Sequence, residues 1–163
     1  MKKVISYLTL VLLAVVQTGA GQYIKLFGIL PNLILTFAVI YSLTNSSVRS
    51  AVMGLSAGII LDATTVGAFG LNGIFLMYTC LAVSYFSRRF YYENKLSSFI
   101  SVYVYTAVYE SLILITTQVI FSKSPFFYVF GRYILVESLI NSVIAIPLMY
   151  WVKWLNNEYI RGI

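Results

Sequence analysis

The chain contains no histidine. That removes the commonest metal ligand, the side chain best suited to acid–base work near neutral pH, and the usual partner of a catalytic serine. Cysteine occurs once, as Cys80, so neither an internal disulfide nor a cysteine cluster can form. Cys80 sits in an apolar run and reads as a small buried hydrophobe. Aspartate also occurs once, as Asp62, which excludes an intramembrane protease built on paired aspartates. Charge is scarce: 10% of the 163 residues are charged, against about 25% in a typical soluble domain. Such a chain has too little polar surface to stay dispersed in water. No catalytic centre, metal site or cofactor is expected.

Apolar residues are abundant instead. Hydrophobic residues make up 60% of the chain and aromatic residues 17%, and the mean hydropathy is +0.88. The bilayer is the natural solvent for this composition. The length allows about six spans of roughly 20 residues, with about 40 residues left for loops. No sizeable extramembrane domain fits. Residues 1–163 therefore read as a single all-α integral membrane domain, a polytopic bundle of about six transmembrane helices.

Six apolar stretches can be placed: Val4 to Val16 or Ala20, Ile29 to Leu43, Ser50 to Val66, Leu71 to Phe86, Phe99 to Phe121, and Phe130 to Trp151. The third is rich in Gly, Ala and Ser. It reads either as a continuous helix or as a short or broken one shielded by its neighbours. The first has the outline of a signal peptide, with Lys2 and Lys3, an apolar run and then Thr18-Gly19-Ala20. It is expected to be retained as the first span. No internal repeat is visible, which gives no support to an inverted-repeat transporter.

Eleven basic and five acidic residues give a net charge of +6. A nucleic-acid binder would gather this charge into a basic patch. Here it is spread between apolar runs, as the positive-inside rule expects. With the N-terminus inside and six spans, Lys2, Lys3, Arg49, Arg88, Arg89, Lys95, Lys153 and Arg161 lie inside, and Lys25, Lys123 and Arg132 outside. Eight against three places both termini in the cytoplasm and the basic residues beside anionic lipids of the inner leaflet. Tyr150, Trp151 and Trp154 mark the inner end of the last span. Phe126, Phe127, Tyr128, Phe130 and Tyr133 mark the outer end of the last two, and Phe90, Tyr91 and Tyr92 an inner loop. These are ordinary interfacial aromatic belts.

Several polar and small residues stand out against this background. Gly54-Leu55-Ser56-Ala57-Gly58 matches the G-x-S-x-G nucleophile elbow, but that chemistry needs a strand-to-helix turn and a nearby base, and neither is expected here. The same residues match G-x-x-x-G, which lets helix backbones approach closely. Ser50, Gly54, Gly58 and Asp62 are spaced by four and share one helix face, flat for three turns and ending in a carboxylate. That seam reads either as packing within the bundle or as a docking surface for a partner helix. Gly70-Leu71-Asn72 suggests a tight turn into the fourth span, with Gly67 just before it. Pro31-Asn32 opens the second span, where proline is structurally cheap. Glu110 falls near the middle of the fifth span, and Glu137 about two turns inside the sixth. Carboxyls at such depths usually face the bundle or a water-filled cavity. They read as a proton or ion relay, or as carboxyls that fix helix packing.

Pro31-Asn32-Leu33, a short basic turn at Arg49, and then Gly54-x3-Gly58-x3-Asp62-x7-Gly70-Leu71-Asn72 together resemble MreD, a family of small multi-pass rod-shape-determining membrane proteins of bacteria. The motif covers roughly Pro31 to Asn72, and the remainder matches in hydropathy only. The resemblance implies a non-enzymatic scaffold in the cell-elongation machinery. Its implied partners are an MreC-like single-pass protein and the membrane synthases of lateral peptidoglycan. It also implies a fold like the substrate-binding subunits of energy-coupling-factor vitamin transporters. A substrate-capture subunit, or a small ion or proton carrier built around Glu110 and Glu137, is therefore the alternative, since fold does not decide function.

Overall fold

The structure, a computed structural model, describes residues 2–21, 23, 25–26, 28–65, 69–87, 95–121 and 130–157. They form α1 (Lys2–Gly19), α2 (Leu33–Thr44), α3 (Ser47–Thr64), α4 (Leu71–Ser87) and α5 (Lys95–Phe121). A π-helical turn (Phe130–Ile134) then runs into α6 (Leu135–Asn157). The only strand-like feature among the described residues is one isolated bridge between Leu26 and Ile29, closed over Gly28 at φ +81°. The expected all-α bundle is present. Arg88, Arg89, Phe90 to Tyr92, Gly67, Lys123, Phe126 to Tyr128 and Arg161 lie outside the described residues.

Polarity in this bundle is distributed for an apolar solvent. The outward faces carry Val4, Leu8, Leu12 and Val15 on α1, and Ile100, Val104, Val108 and Leu112 on α5. Thr36, Ser42, Ser50, Ser138 and Ser142 are buried, and each hydroxyl donates to the carbonyl four residues earlier. Small hydroxyl residues that satisfy themselves on their own helix allow close packing between membrane helices. Leu96–Thr117 and Phe130–Leu155 are long and apolar enough to cross a bilayer.

The second span differs from expectation. Its helix begins at Leu33 rather than Ile29 and has 12 residues. At 1.5 Å per residue that is about 18 Å, short of a hydrocarbon core about 30 Å thick. Every residue from Leu33 to Ser42 is buried. α2 is thus the central post of the bundle and touches all five other helices. The late start has a local cause: Asn32 is the N-cap, and its side-chain oxygen accepts from the Leu35 N–H at 3.1 Å. Pro31 precedes the cap.

The third span is not broken. α3 is one continuous helix of 18 residues, and its small residues are explained by α4, with which it makes the closest pairing in the fold. A Cβ on Gly54 would lie 2.6 Å from the Leu76 carbonyl oxygen and 2.9 Å from the Cys80 side chain. One on Gly58 would fall on the Asn72 carbonyl and the Gly73 Cα. The two backbones can meet only because those side chains are missing.

Candidate functional site

Polar side chains converge at one end of the bundle, where α1, α3 and α5 finish or pass and α2, α4 and α6 begin. The centre of this cluster is Asp62. It is buried on the last turns of α3 and points across to the start of α4. Its Oδ2 accepts from the backbone N–H of Gly70 at 3.0 Å and of Gly73 at 3.1 Å, and its Oδ1 from that of Asn72 at 3.2 Å. Gly70, at φ +98°, provides the carbonyl for the first bond of α4, from the Ile74 N–H. It occupies the capping position but has no side chain with which to cap. Asp62 supplies the carboxylate instead, where the exposed N–H groups and the helix dipole both favour negative charge.

Asn72 extends the cluster. Its side-chain oxygen accepts from the Tyr109 hydroxyl at 2.6 Å, and its Nδ2 donates to Thr65 Oγ1 at 3.4 Å. Tyr109 is almost fully buried on α5 and so ties α5 to the α3–α4 turn. On the other side, the Asn32 backbone N–H donates to Asn141 Oδ1 of α6 at 2.9 Å. In the first turn of α2, the Ile34 N–H is met by Gln17 Oε1 of α1 at 3.2 Å. α1 and α6 thereby fix the entry of α2.

Glu110 and Glu137 complete the cluster. Both are partly buried. Their carboxyls are near enough to act on each other, with Asn32 beside Glu110 and Asn141 beside Glu137. Tyr109 feels Glu110, Asp62 and Glu137, so these residues occupy one electrostatic neighbourhood. Among the described residues no group of three or more His, Cys, Asp or Glu gathers to hold a metal ion.

The residues singled out from the sequence therefore fall into two sets. Asn32, Asp62, Gly70, Asn72, Glu110 and Glu137 come together at this end, with Pro31 and Leu71 as their chain neighbours. Ser50, Gly54 and Gly58 run from it down the α3–α4 seam, which α4 fills. As a docking surface for an outside helix this face is already occupied by the chain itself. Ser56 lies on a regular helix and donates to the Val52 carbonyl at 2.9 Å, without the strained turn of a nucleophile elbow. Sequence reading missed Gln17, Tyr109 and Asn141. Asn141 carried a signal, standing four residues after Glu137 on the same face of an apolar helix. Tyr109 carried none among 14 tyrosines.

Comparison with known proteins returns no matching curated protein and no matching solved structure. The expected likeness to transporter substrate-binding subunits gains no support from it. The family profile described as rod shape-determining protein MreD matches residues 1–158. That match spans the helices on both sides of the motif, from α1 through α6. It extends well past the Pro31–Asn72 segment on which the resemblance first rested, and the chain belongs to the MreD family of rod shape-determining membrane proteins.

Proposed function

We propose that this chain is a non-enzymatic membrane scaffold of the cell-elongation machinery. It crosses the membrane several times with both termini in the cytoplasm. Its partners are an MreC-like single-pass protein and the peptidoglycan synthases of the elongation complex, and its basic inner loops rest on anionic lipids. The observation that supports this reading is where the polar groups of the motif go. Asp62, Asn72 and Asn32 spend their hydrogen bonds on helix ends and neighbouring helices of the same chain. A site for substrate chemistry would keep such groups free and convergent. A scaffold needs them to hold a rigid apolar exterior in register.

The experiment is capture of an MreC-like protein by the tagged full-length chain from solubilised membranes, together with depletion in a rod-shaped host. The expected results are co-purification and rounding of the cells. Capture without any shape defect on depletion would remove the role in elongation. Reporter fusions at Lys3 and Ile163 test the topology, and an external signal at Ile163 would overturn it.

A further inference from the structure

Pro147 stands inside α6, and among the described residues it is the only proline within a helix. It has no N–H. The carbonyl of Val143, four residues earlier, therefore loses the donor that closes a regular helical turn, and the pyrrolidine ring crowds that carbonyl away from the axis. A freed backbone acceptor in a membrane helix is met by a local change of helix type, a nearby hydroxyl, a neighbouring helix or water. None of these serves Val143. α6 runs as regular α-helix from Leu135 to Asn157. The adjacent hydroxyl, on Ser142, donates to the Ser138 carbonyl. Among the described residues no side chain donates to the Val143 carbonyl. Val143 is 54% exposed and lies at the middle of the 26-residue apolar stretch Phe130–Leu155. With about 18–20 Å of helix on either side, headgroups and water are out of reach.

The freed acceptor borders the edge where α6 meets α1. Val143, Pro147 and Trp151 follow one another at intervals of four and form one stripe along α6. At the end of that stripe Trp151 Nε1 donates to Thr9 Oγ1 of α1 at 3.3 Å, so the stripe follows the side of α6 that faces α1. Apart from this bond the two helices make one of the sparsest pairings in the bundle. On α1, Leu12 and Val16 stand three and seven residues after Thr9, on the same side of the helix, and Leu12 is 62% exposed. The Thr9 hydroxyl itself donates to the Ile5 carbonyl. This edge thus offers apolar contact and no donor. Elsewhere on the outside, hydroxyls such as those of Ser56 and Thr116 donate to the carbonyl four residues back and leave nothing open.

We propose that the α1–α6 edge docks the transmembrane helix of the single-pass partner, which sets a hydroxyl or amide donor against the Val143 carbonyl. The inference rests on the scaffold reading and adds its contact surface. The chemistry of the occupant follows from depth. Acyl chains carry no hydrogen-bond donor, and the backbone N–H groups of a helix are engaged within it. At the middle of the bilayer the donor is therefore a side chain of another membrane helix, such as Ser, Thr, Asn or Gln. Leu12, Val16 and Val143 supply dispersion contacts around that bond.

The test uses the full-length chain co-expressed with the MreC-like single-pass protein. A photo-reactive residue at Leu12 or Val143 should cross-link to that protein, and one at Val104, on the exposed face of α5, should not. Pro147→Ala restores the missing N–H and closes the helical turn from within. The chain should then keep its membrane abundance and melting temperature, while capture of the partner falls roughly three- to fifteen-fold, the share of one interhelical hydrogen bond. Should Pro147→Ala lose abundance, Leu12→Trp decides the matter: it obstructs the edge and should lower capture at normal abundance, with Val104→Trp as the unaffected control. Capture by a well-folded Pro147→Ala equal to that of wild type would overturn the inference and leave the scaffold reading standing. So would cross-links from Leu12 and Val143 to a second copy of this chain, or cross-links to the partner from Val104 alone. No capture by the wild-type chain would remove the scaffold reading itself, and this inference with it.

Discussion

The side chain of Asp62, on the last turns of α3, accepts the N–H of Gly73 at 3.1 Å, so that one helix caps the next across their shared turn. The same carboxylate also holds Gly70 and Asn72. The close α3–α4 pairing thus has a polar lock at its end and a stripe of missing side chains along its length.

Removal of that lock should be costly. Asp62→Ala leaves three N–H groups at the start of α4 without an acceptor, in a partly or fully buried setting. Loss of an ordinary helix cap costs about 0.5–2 kcal/mol, and the buried position puts this one at or above the upper end. Asp62→Asn keeps one acceptor oxygen and should lose less. Denaturant unfolding in detergent orders the two variants, and equal stability of Asp62→Ala and wild type would show that the cap is idle.

Gly58 should not tolerate even one added carbon. Its Cβ would meet the Asn72 carbonyl and the Gly73 Cα, both backbone, so neither can swing aside. Overpacking of this kind costs about 1–3 kcal/mol. Gly58→Ala should lower membrane abundance and melting temperature. Gly19→Ala, at an exposed position with nothing within 4 Å, is the matched control and should change neither. Normal abundance of Gly58→Ala with selective loss of partner capture would mean that the seam opens to an outside helix.

Tyr109→Phe deletes a single hydroxyl and its bond to Asn72. A net loss of about 0.5–1.5 kcal/mol is expected. A double-mutant cycle with Asn72→Ala should show the two changes to be non-additive, because they remove the same bond. Strict additivity would show that the 2.6 Å contact carries no energy of its own.

Ser56→Ala should leave cell shape, abundance and stability unaltered, with a stability change within about 0.5 kcal/mol. Its hydroxyl does no more than donate to the carbonyl of its own helix. Loss of shape control at normal abundance would point to a nucleophilic role for this serine.

Helix existence and type were legible in the sequence, because apolar runs of this length admit little else in a bilayer. The face shared by Ser50, Gly54, Gly58 and Asp62 was legible too, since a spacing of four is a property of one helix. What that face meets was not legible. A stripe of glycines reads the same whether its partner is α4 or another protein, and only the position of the Asn72 and Gly73 backbone against Gly58 decides it. The start of α2 shows a similar limit. Hydropathy puts it at Ile29, but the helix waits for the cap at Asn32, whose fit depends on Gln17 and Asn141 from distant segments.

The sequence by itself determined the solvent, the helical class, and the scarcity of groups able to do chemistry. These follow from composition and short-range periodicity, which are properties of neighbouring residues. The tertiary structure alone decided that Asn32, Asp62, Asn72, Tyr109, Glu110, Glu137 and Asn141 share one end of the bundle. In an apolar solvent each polar group must find its partner within the protein, and which residues become partners depends on how six helices stack rather than on their order in the chain.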